Sequence, residues 1–328
     1  MIGILHYTNN GTLRTDISVD ELPQLAKADT GLVWVDLFNE PRDKCEHILL
    51  NLFGFHPLAV EDAFEESQVP KVDDWETYLY IVLDSVEWLG KADEQIRMNE
   101  LDVFLGHHYV VTYHKEPVTA LDHVWKACLH DNRMMKNGAD HLLYRLAHEE
   151  AMEAMKVIEN VDEILDTLED QVFTKAGPAI LEQLFLLKRT LLQLRRTVVP
   201  QREVFNKLAR DPYPLVDEKD QIYFRDVFDN LIWLQGLIEN LRDLVGGTMD
   251  TYLSVVNNRM NDTMRALTVI TTLFMPLSFI TGFFGMNFFQ AVLPSQNWTG
   301  REMLIVSLAA MVIIPLVMYR WMKRWALR

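Results

Sequence analysis

Wound at ~100° per residue, the segment around position 270 gathers Asn257, Asn261, Met264, Thr268, Thr271, Met275, Ser278 and Gly282 into a sector of about 100°. The opposite side is Val, Ile, Leu and Phe. Just beyond stand Gly285, Met286 and Asn287. Amides, hydroxyls and thioethers of this kind carry no charge, yet offer oxygen acceptors at every turn. Mg²⁺ prefers oxygen and gives up its water shell reluctantly, so neutral acceptors can take hydrogen bonds from that shell without trapping the ion. Asn287 supplies a side-chain carbonyl and two N–H donors, and Gly285 and Met286 can expose backbone carbonyls. Gly285 is expected to end the helix by reaching the left-handed conformation. A stripe of Ser, Thr and Gly also mediates helix packing in lipid, and that reading stays open on the stripe alone.

The elements that must position these residues are membrane spans. Leu267 to Phe284 and Met303 to Tyr319 are uncharged and each is near the ~20 residues needed to cross a bilayer core. Arg259 and Arg265 precede the first span. Arg320, Lys323, Arg324 and Arg328 follow the second, while the connecting loop offers Arg301 beside Glu302. The positive-inside rule then places both ends in the cytoplasm and the loop outside. Trp298, Trp321 and Trp325 suit interfacial positions. Pro276 frees the carbonyl of Thr272, which favours a water-lined face, and Pro315 predicts an ordinary kink against lipid. Two spans cannot enclose a pore, so a pore requires an oligomer built around the first helix.

Charge separates this tail from the rest. Residues 261 to 328 hold six Lys or Arg and two acids, which leaves 25 bases against 45 acids in the first 260 residues. So acidic a body excludes nucleic acid as a partner and suits cations. The start, MIGILHYTNNGT, has no basic n-region or adequate apolar h-region, so the acidic body is expected in the cytosol. Cys45 and Cys128 lie far apart, outside any C-x-x-C, and predict small buried thiols in a reducing compartment. There is no P-loop, G-x-S-x-G or H-E-x-x-H, so an enzyme is not expected. His107-His108, adjacent near a strand turn, point to opposite faces and make a poor joint zinc site. His56, before Pro57, reads as structural. The pairs Glu61-Asp62 and Asp73-Asp74 read as solvated faces or helix ends.

In the acidic body, short β-branched runs at 31 to 37, 78 to 84, 101 to 106 and 109 to 114 predict strands, with helical spacing at 43 to 53. Residues 1–130 thus form an α/β domain. Residues 131–215 form a helical hairpin, 139 to 173 returning as 179 to 210 past Gly177-Pro178, with Pro200 a kink. From Val216 a single helix of about 69 residues, roughly 100 Å, reaches Phe284. Its stalk is 216–266 and its span 267–284. A loop (285–302), a second span (303–319) and a basic tail (320–328) complete the chain.

Residues 261 to 288, NDTMRALTVITTLFMPLSFITGFFGMNF, resemble the pore helix of the CorA family of magnesium and divalent-cation channels, marked by Gly-Met-Asn. YFRDVFDN (223 to 230) is similar to the family's stalk. FHPLAVEDAFE (55 to 65) and PKVDDWETYLYIVLD (70 to 84) are similar to its cytosolic domain, and YRWMKRWAL (319 to 327) to its basic C-terminus. The resemblance implies an α+β membrane protein: a funnel-shaped homopentamer with a cytosolic α/β domain, a long stalk and pore helix, and two C-terminal transmembrane helices. It implies a selectivity ring at Gly285, Met286 and Asn287, with Asn261, Met264, Leu267, Thr271, Met275, Ser278 and Gly282 lining the pore. Met264 and Leu267, with Met275 further along, become the hydrophobic gate, and Lys323, Arg324 and Arg328 a basic collar around it. Cytosolic Mg²⁺ held between subunits would keep the channel shut, with Asp226 as one ligand. Leu89 occupies the place where the family often has the partner acid, with Asp84 and Glu87 nearby, so either Glu87 substitutes as the ligand by a shifted register or this regulatory site is altered. Residues 288 to 298 contain no acid, unlike many magnesium-specific members, whereas zinc transporters of the family often have valine in place of Met286.

These features predict passage of a divalent cation, Mg²⁺ first and Co²⁺, Ni²⁺ or Zn²⁺ besides, across the inner (cell) membrane. The cation is substrate and regulator, and no cofactor is expected. The expected partners are further copies of the chain, divalent cations and the lipid bilayer. The alternatives are zinc uptake by the same architecture, gradient-driven or proton-coupled, and a membrane-anchored sensor that does not conduct.

Overall fold

The computed structural model describes residues 1–26, 31–65, 69–90, 95–286 and 301–325. It divides into two units, Met1–Met249 and Asp250–Arg328. The first opens with β1 (Ile2–Thr8), β2 (Leu13–Arg14), α1 (Leu22–Leu25) and β3 (Gly31–Phe38). Then come α2 (Arg42–Glu46), a π-helical stretch (His47–Leu52) and α3 (Pro57–Glu65). Strands β4 (Lys71–Asp74), β5 (Leu79–Trp88), β6 (Ile96–Leu105) and β7 (Tyr109–His114) lead into α4 (Thr119–His130).

The seven strands lie in the order β2-β1-β3-β7-β6-β5-β4. Only the β3–β7 pair is parallel, Val35 facing Val111. All other neighbours are antiparallel. A parallel pair needs a long crossover, and here residues 39 to 108 supply it. One face of the sheet (Val33, Val35, Leu37, Tyr80, Val82, Phe104, Val111) packs on α2, the π-helical stretch and α3 through Cys45, Ile48, Leu49, Phe55 and Ala59. On the other face Trp34, fully buried, meets Trp125 of α4 edge to face at 4.7 Å. Gly31 opens β3 at φ 128°, where a Cβ would collide with the carbonyl oxygen of Tyr7, so no other residue lets the strand start there.

Three long helices follow: α5 (Ala139–Lys175), α6 (Pro178–Arg210) and α7 (Gln221–Gly285). Gly177 caps α6 and Pro178 sits at its first position, where a missing N–H costs nothing. The helix runs unbroken through Pro200. In the first unit α7 packs on both others. Thr248 donates to Glu169 of α5 (2.8 Å), Arg202 of α6 donates to Gln235 (2.6 Å), and Phe205 stacks with Phe224 at 6.2 Å. The α7 side chains facing inward here, Phe224, Val227, Leu231, Leu234, Ile238, Leu241 and Val245, are buried at helical spacing. The helix starts at Gln221 and not Val216, because residues 217 to 220 form a turn held by Asp220 N–H to the Asp217 carbonyl.

The second unit holds the rest of α7 and α8 (Arg301–Trp325). Both helices are long and apolar enough to cross a membrane. In α8 one stripe is covered, namely Ser307, Ala310, Met311, Ile314, Pro315, Met318 and Met322, with the spacing of a packed helix. In the span of α7 the half-buried positions are Val269, Thr272, Leu273, Pro276, Leu277, Ile280 and Phe283.

Candidate ion pathway and regulatory site

Those half-buried α7 positions lie roughly opposite the polar stripe. Asn257, Asn261, Met264, Leu267, Thr268, Thr271, Met275, Ser278 and Gly282 are all exposed. The stripe is therefore turned away from the covered side of its own helix. Its two threonine hydroxyls share one arrangement. Thr268 donates to the Met264 carbonyl (2.8 Å) and Thr271 to the Leu267 carbonyl (2.9 Å). Each proton is thus used within the helix, and the threonine oxygen shows only lone pairs to its surroundings. Such an oxygen accepts from the water of a hydrated cation and has nothing to donate to an anion. Met264 is 58% exposed, Leu267 63% and Met275 73%, which leaves a bare apolar band amid the acceptors.

At the far end α7 stops at Gly285, whose φ is not left-handed. The expected left-handed turn is therefore absent. The Met286 N–H reaches the Phe283 carbonyl at 3.4 Å, so the chain leaves by a tight right-handed turn. Among the described residues, a Cβ on Gly285 would meet nothing within 4 Å. Met286 is 50% exposed. Asn287 lies outside the described residues, as do Trp298 and Arg328, and so do the side chains of Lys323 and Trp325. Arg324 is exposed.

In the first unit Asp226 is exposed on α7. Its sequence-inferred partners are engaged elsewhere. Glu87 faces Arg97 across the β5–β6 ladder, 3.6 Å from its guanidinium. Asp84 is pushed up to about 7 by burial, reinforced by the neighbouring Glu100 and opposed by a hydrogen bond from Thr197 of α6. Leu89 joins Gln95 through its backbone N–H.

Several polar groups escaped sequence reasoning. Asp140, Asp217 and Asp220 bring carboxylate oxygens within 4.8 Å of one another. Asp140 accepts the backbone N–H groups of Asp217 (3.0 Å) and His141 (2.9 Å), so it ties the start of α5 to the turn before α7. Under the sheet, Tyr80 donates to Asp102 (2.6 Å), which is 2% exposed and whose burial holds its carboxyl well above the usual range. Trp34 donates to Thr112, Thr112 donates to Asp36, and His114 Nε2 lies 3.2 Å from the same carboxylate. Glu150 of α5 is 3% exposed, and burial pushes its carboxyl up to about 8. Periodicity gave no signal for Asp36, Asp102, Thr112, His114 and Glu150, which stand among apolar neighbours on strands or a helix, nor for Asp217 and Asp220, which lie in the turn before α7.

A family model described as CorA-like Mg²⁺ transporter protein matches residues 29–324. The chain belongs to this family. As a member it is a CorA-like divalent-cation transporter, and the family is one of membrane transporters. It is 32% identical over 293 residues to the cobalt/magnesium transport protein CorA of Thermotoga maritima, covering 89% of this chain and 83% of that one. It is 26% identical over 238 residues to the zinc transport protein ZntB of Yersinia pseudotuberculosis, covering 70% of each. Its fold matches the complete structure of the CorA magnesium transporter of Methanocaldococcus jannaschii, with a TM-score of 0.84 at 22% identity over 99% of this chain and 98% of that one. The soluble α/β domain, long helix and C-terminal helix of the CorA architecture are all present.

Proposed function

We propose that the chain forms a homopentameric channel in the inner (cell) membrane, both termini in the cytoplasm, and passes hydrated Mg²⁺, with Co²⁺, Ni²⁺ and Zn²⁺ as further permeants. The observation that carries this is the exposed α7 stripe, whose threonines turn only acceptor lone pairs outward. A stripe used for packing against α8 would be covered, and this one is not. One chain supplies one wall, so copies of α7 must face each other around a common axis. Among the described residues nothing approaches a Cβ position on Gly285, so neighbouring backbones could come close there, which gives that glycine a reason its own φ does not. In this reading Gly285, Met286 and Asn287 form the outer ring, Asn261, Thr271 and Ser278 carry the water shell, and Met264, Leu267 and Met275 close the path by excluding water. Names of relatives support the cation class: one transports cobalt and magnesium.

Regulation by cytosolic cation at Asp226 is part of the proposal, with Glu87 as partner after release from Arg97. Zinc is the second reading, favoured by the similarity to ZntB. Purified protein in liposomes decides between them: Mg²⁺ influx that exceeds Zn²⁺ influx and ignores a pH gradient supports the first, and Zn²⁺ influx driven by the gradient supports the second. Asn287→Ala tests the ring. Unchanged flux and unchanged ion order in that variant would remove Asn287 from the pathway.

A further inference from the structure

The α5–α6 hairpin carries opposite charge on its two helices. α5 contains ten acids and three Lys or Arg, whereas α6 contains two acids and seven Lys or Arg. On α5 Asp162, Glu163, Asp166 and Asp170 are exposed within a sector of about 100°. On α6 Lys188, Arg189 and Arg196 are exposed within a sector of similar width. Among the described residues none of these seven takes part in an ion pair. That is informative because the two groups stand at matching heights. Glu163 is twelve residues before the end of α5 at Lys175, and Arg189 is eleven after the start of α6 at Pro178. At ~1.5 Å per residue they differ by only about 2 Å along the hairpin. Level with one another and still unpaired, the two faces point away from each other within one chain.

We infer that the basic face of α6 docks on the acidic face of α5 of a second copy of this chain. The inference rests on the homo-oligomer proposed above and names the surface that closes its cytosolic ring. A head-to-tail contact around a rotation axis needs two different patches on each subunit, complementary to one another. When the axis runs along the hairpin, the operation adds no shift in height, so the patches must already be level. Charge, height and the missing intrachain partners agree on this one occupant. Exposed pairs contribute little each, so the surface acts through several charges together and gives register more than raw affinity.

The test uses the full-length protein in detergent. Two differently tagged chains are co-expressed, one with Glu163→Cys and one with Arg189→Cys; native Cys45 and Cys128 are buried and unreactive at short exposure. A short bismaleimide should join the two tags, while either variant alone should give no cross-linked band. In a second arm, adding K188E/R196E to the Arg189→Cys chain should lower cross-linking by about five-fold or more. Adding D162K/D166K to the Glu163→Cys chain should restore it, and raised salt should weaken the cross-link formed without these reversals. Oligomers that form without any tag-to-tag product, or a double reversal weaker than the single one, overturn this surface and leave the oligomer standing. Monomers in light scattering for the unaltered chain overturn the oligomer itself.

Discussion

Replacing Glu150 by Gln tests whether the carboxyl under β5 is held neutral by its surroundings. Glu150 lies on α5 at 3% exposure. Burial is the largest influence on it. Glu153 of its own helix and Asp84 of β5 raise it further, while the nearby Ser85 hydroxyl and the charge of His114 on β7 pull it down. The net position is about 8 against an ordinary 4.5. A carboxyl raised in the folded state keeps its proton there after the unfolded chain has lost it. Between about pH 4.5 and 8 the native state therefore binds more protons, and stability falls as pH rises. With the 3.5 units between the two positions at ~1.36 kcal/mol each, the loss has a ceiling of about 5 kcal/mol above pH 8. Glutamine keeps the shape and never ionises, so the variant should match the native chain at pH 5 and exceed it increasingly up to pH 8.5. Each kcal/mol corresponds to roughly 2–4 °C in a body of this size. Asp84 titrates in the same window and acts on Glu150 through its charge, so the difference reports Glu150 together with its coupling to Asp84. The assay is the thermal midpoint of detergent-solubilised protein across that pH range, native and variant side by side. A difference that stays flat with pH, or that is largest at pH 5, would show that Glu150 is ionised in the folded protein and refute the argument.

Other expectations follow from single contacts. Tyr80→Phe leaves Asp102 without its donor in the interior and should cost about 1–3 kcal/mol, read as a lowered thermal midpoint with ion flux per folded protein unchanged. Thr271→Val keeps the shape of a residue whose hydroxyl bonds to its own helix, and removes only the outward acceptor. Flux of Mg²⁺ in liposomes should fall by about five-fold, on the scale of one neutral hydrogen bond; full retention would mean that the stripe faces lipid or protein. Met264→Ser puts a hydroxyl in the bare apolar band and should raise flux at high internal Mg²⁺, when the closed state dominates, and equal leak from the native chain would remove Met264 from the gate.

How much of this was legible before any coordinates depends on what a residue is surrounded by. The spans and the long helices were written in period and length: α5 and α6 run two residues or fewer past the predicted ends at their far termini, and α7 stops within one residue of the expected Phe284. The strand at 109 to 114 was visible because Tyr109, Val110, Val111 and Tyr113 favour extended backbone whatever they pair with. Strand β4, by contrast, reads KVDD, and nothing local marks it as a strand; it exists because Lys71 to Asp74 pair with Val82 to Leu79. β6 begins at Ile96, earlier than the predicted 101, since RMNE has no apolar alternation and takes its register from β5 opposite. The same logic separates the two halves of the candidate site. The polar face proposed to line the pore is a property of one helix, so a single angular count can find it, and the structure adds the direction of the Thr268 and Thr271 hydroxyl protons. The regulatory half depends on pairs that meet only after folding. Glu87 looked free for a cation in the sequence, and it faces Arg97 because an antiparallel ladder sets those two residues opposite each other. Any cation that binds Asp226 with Glu87 must therefore outcompete a guanidinium at 3.6 Å. Under the proposed regulation that competition would set a threshold: the pair is exposed and weak enough to yield to a dication at high concentration, yet close enough to keep Glu87 occupied when the dication is scarce.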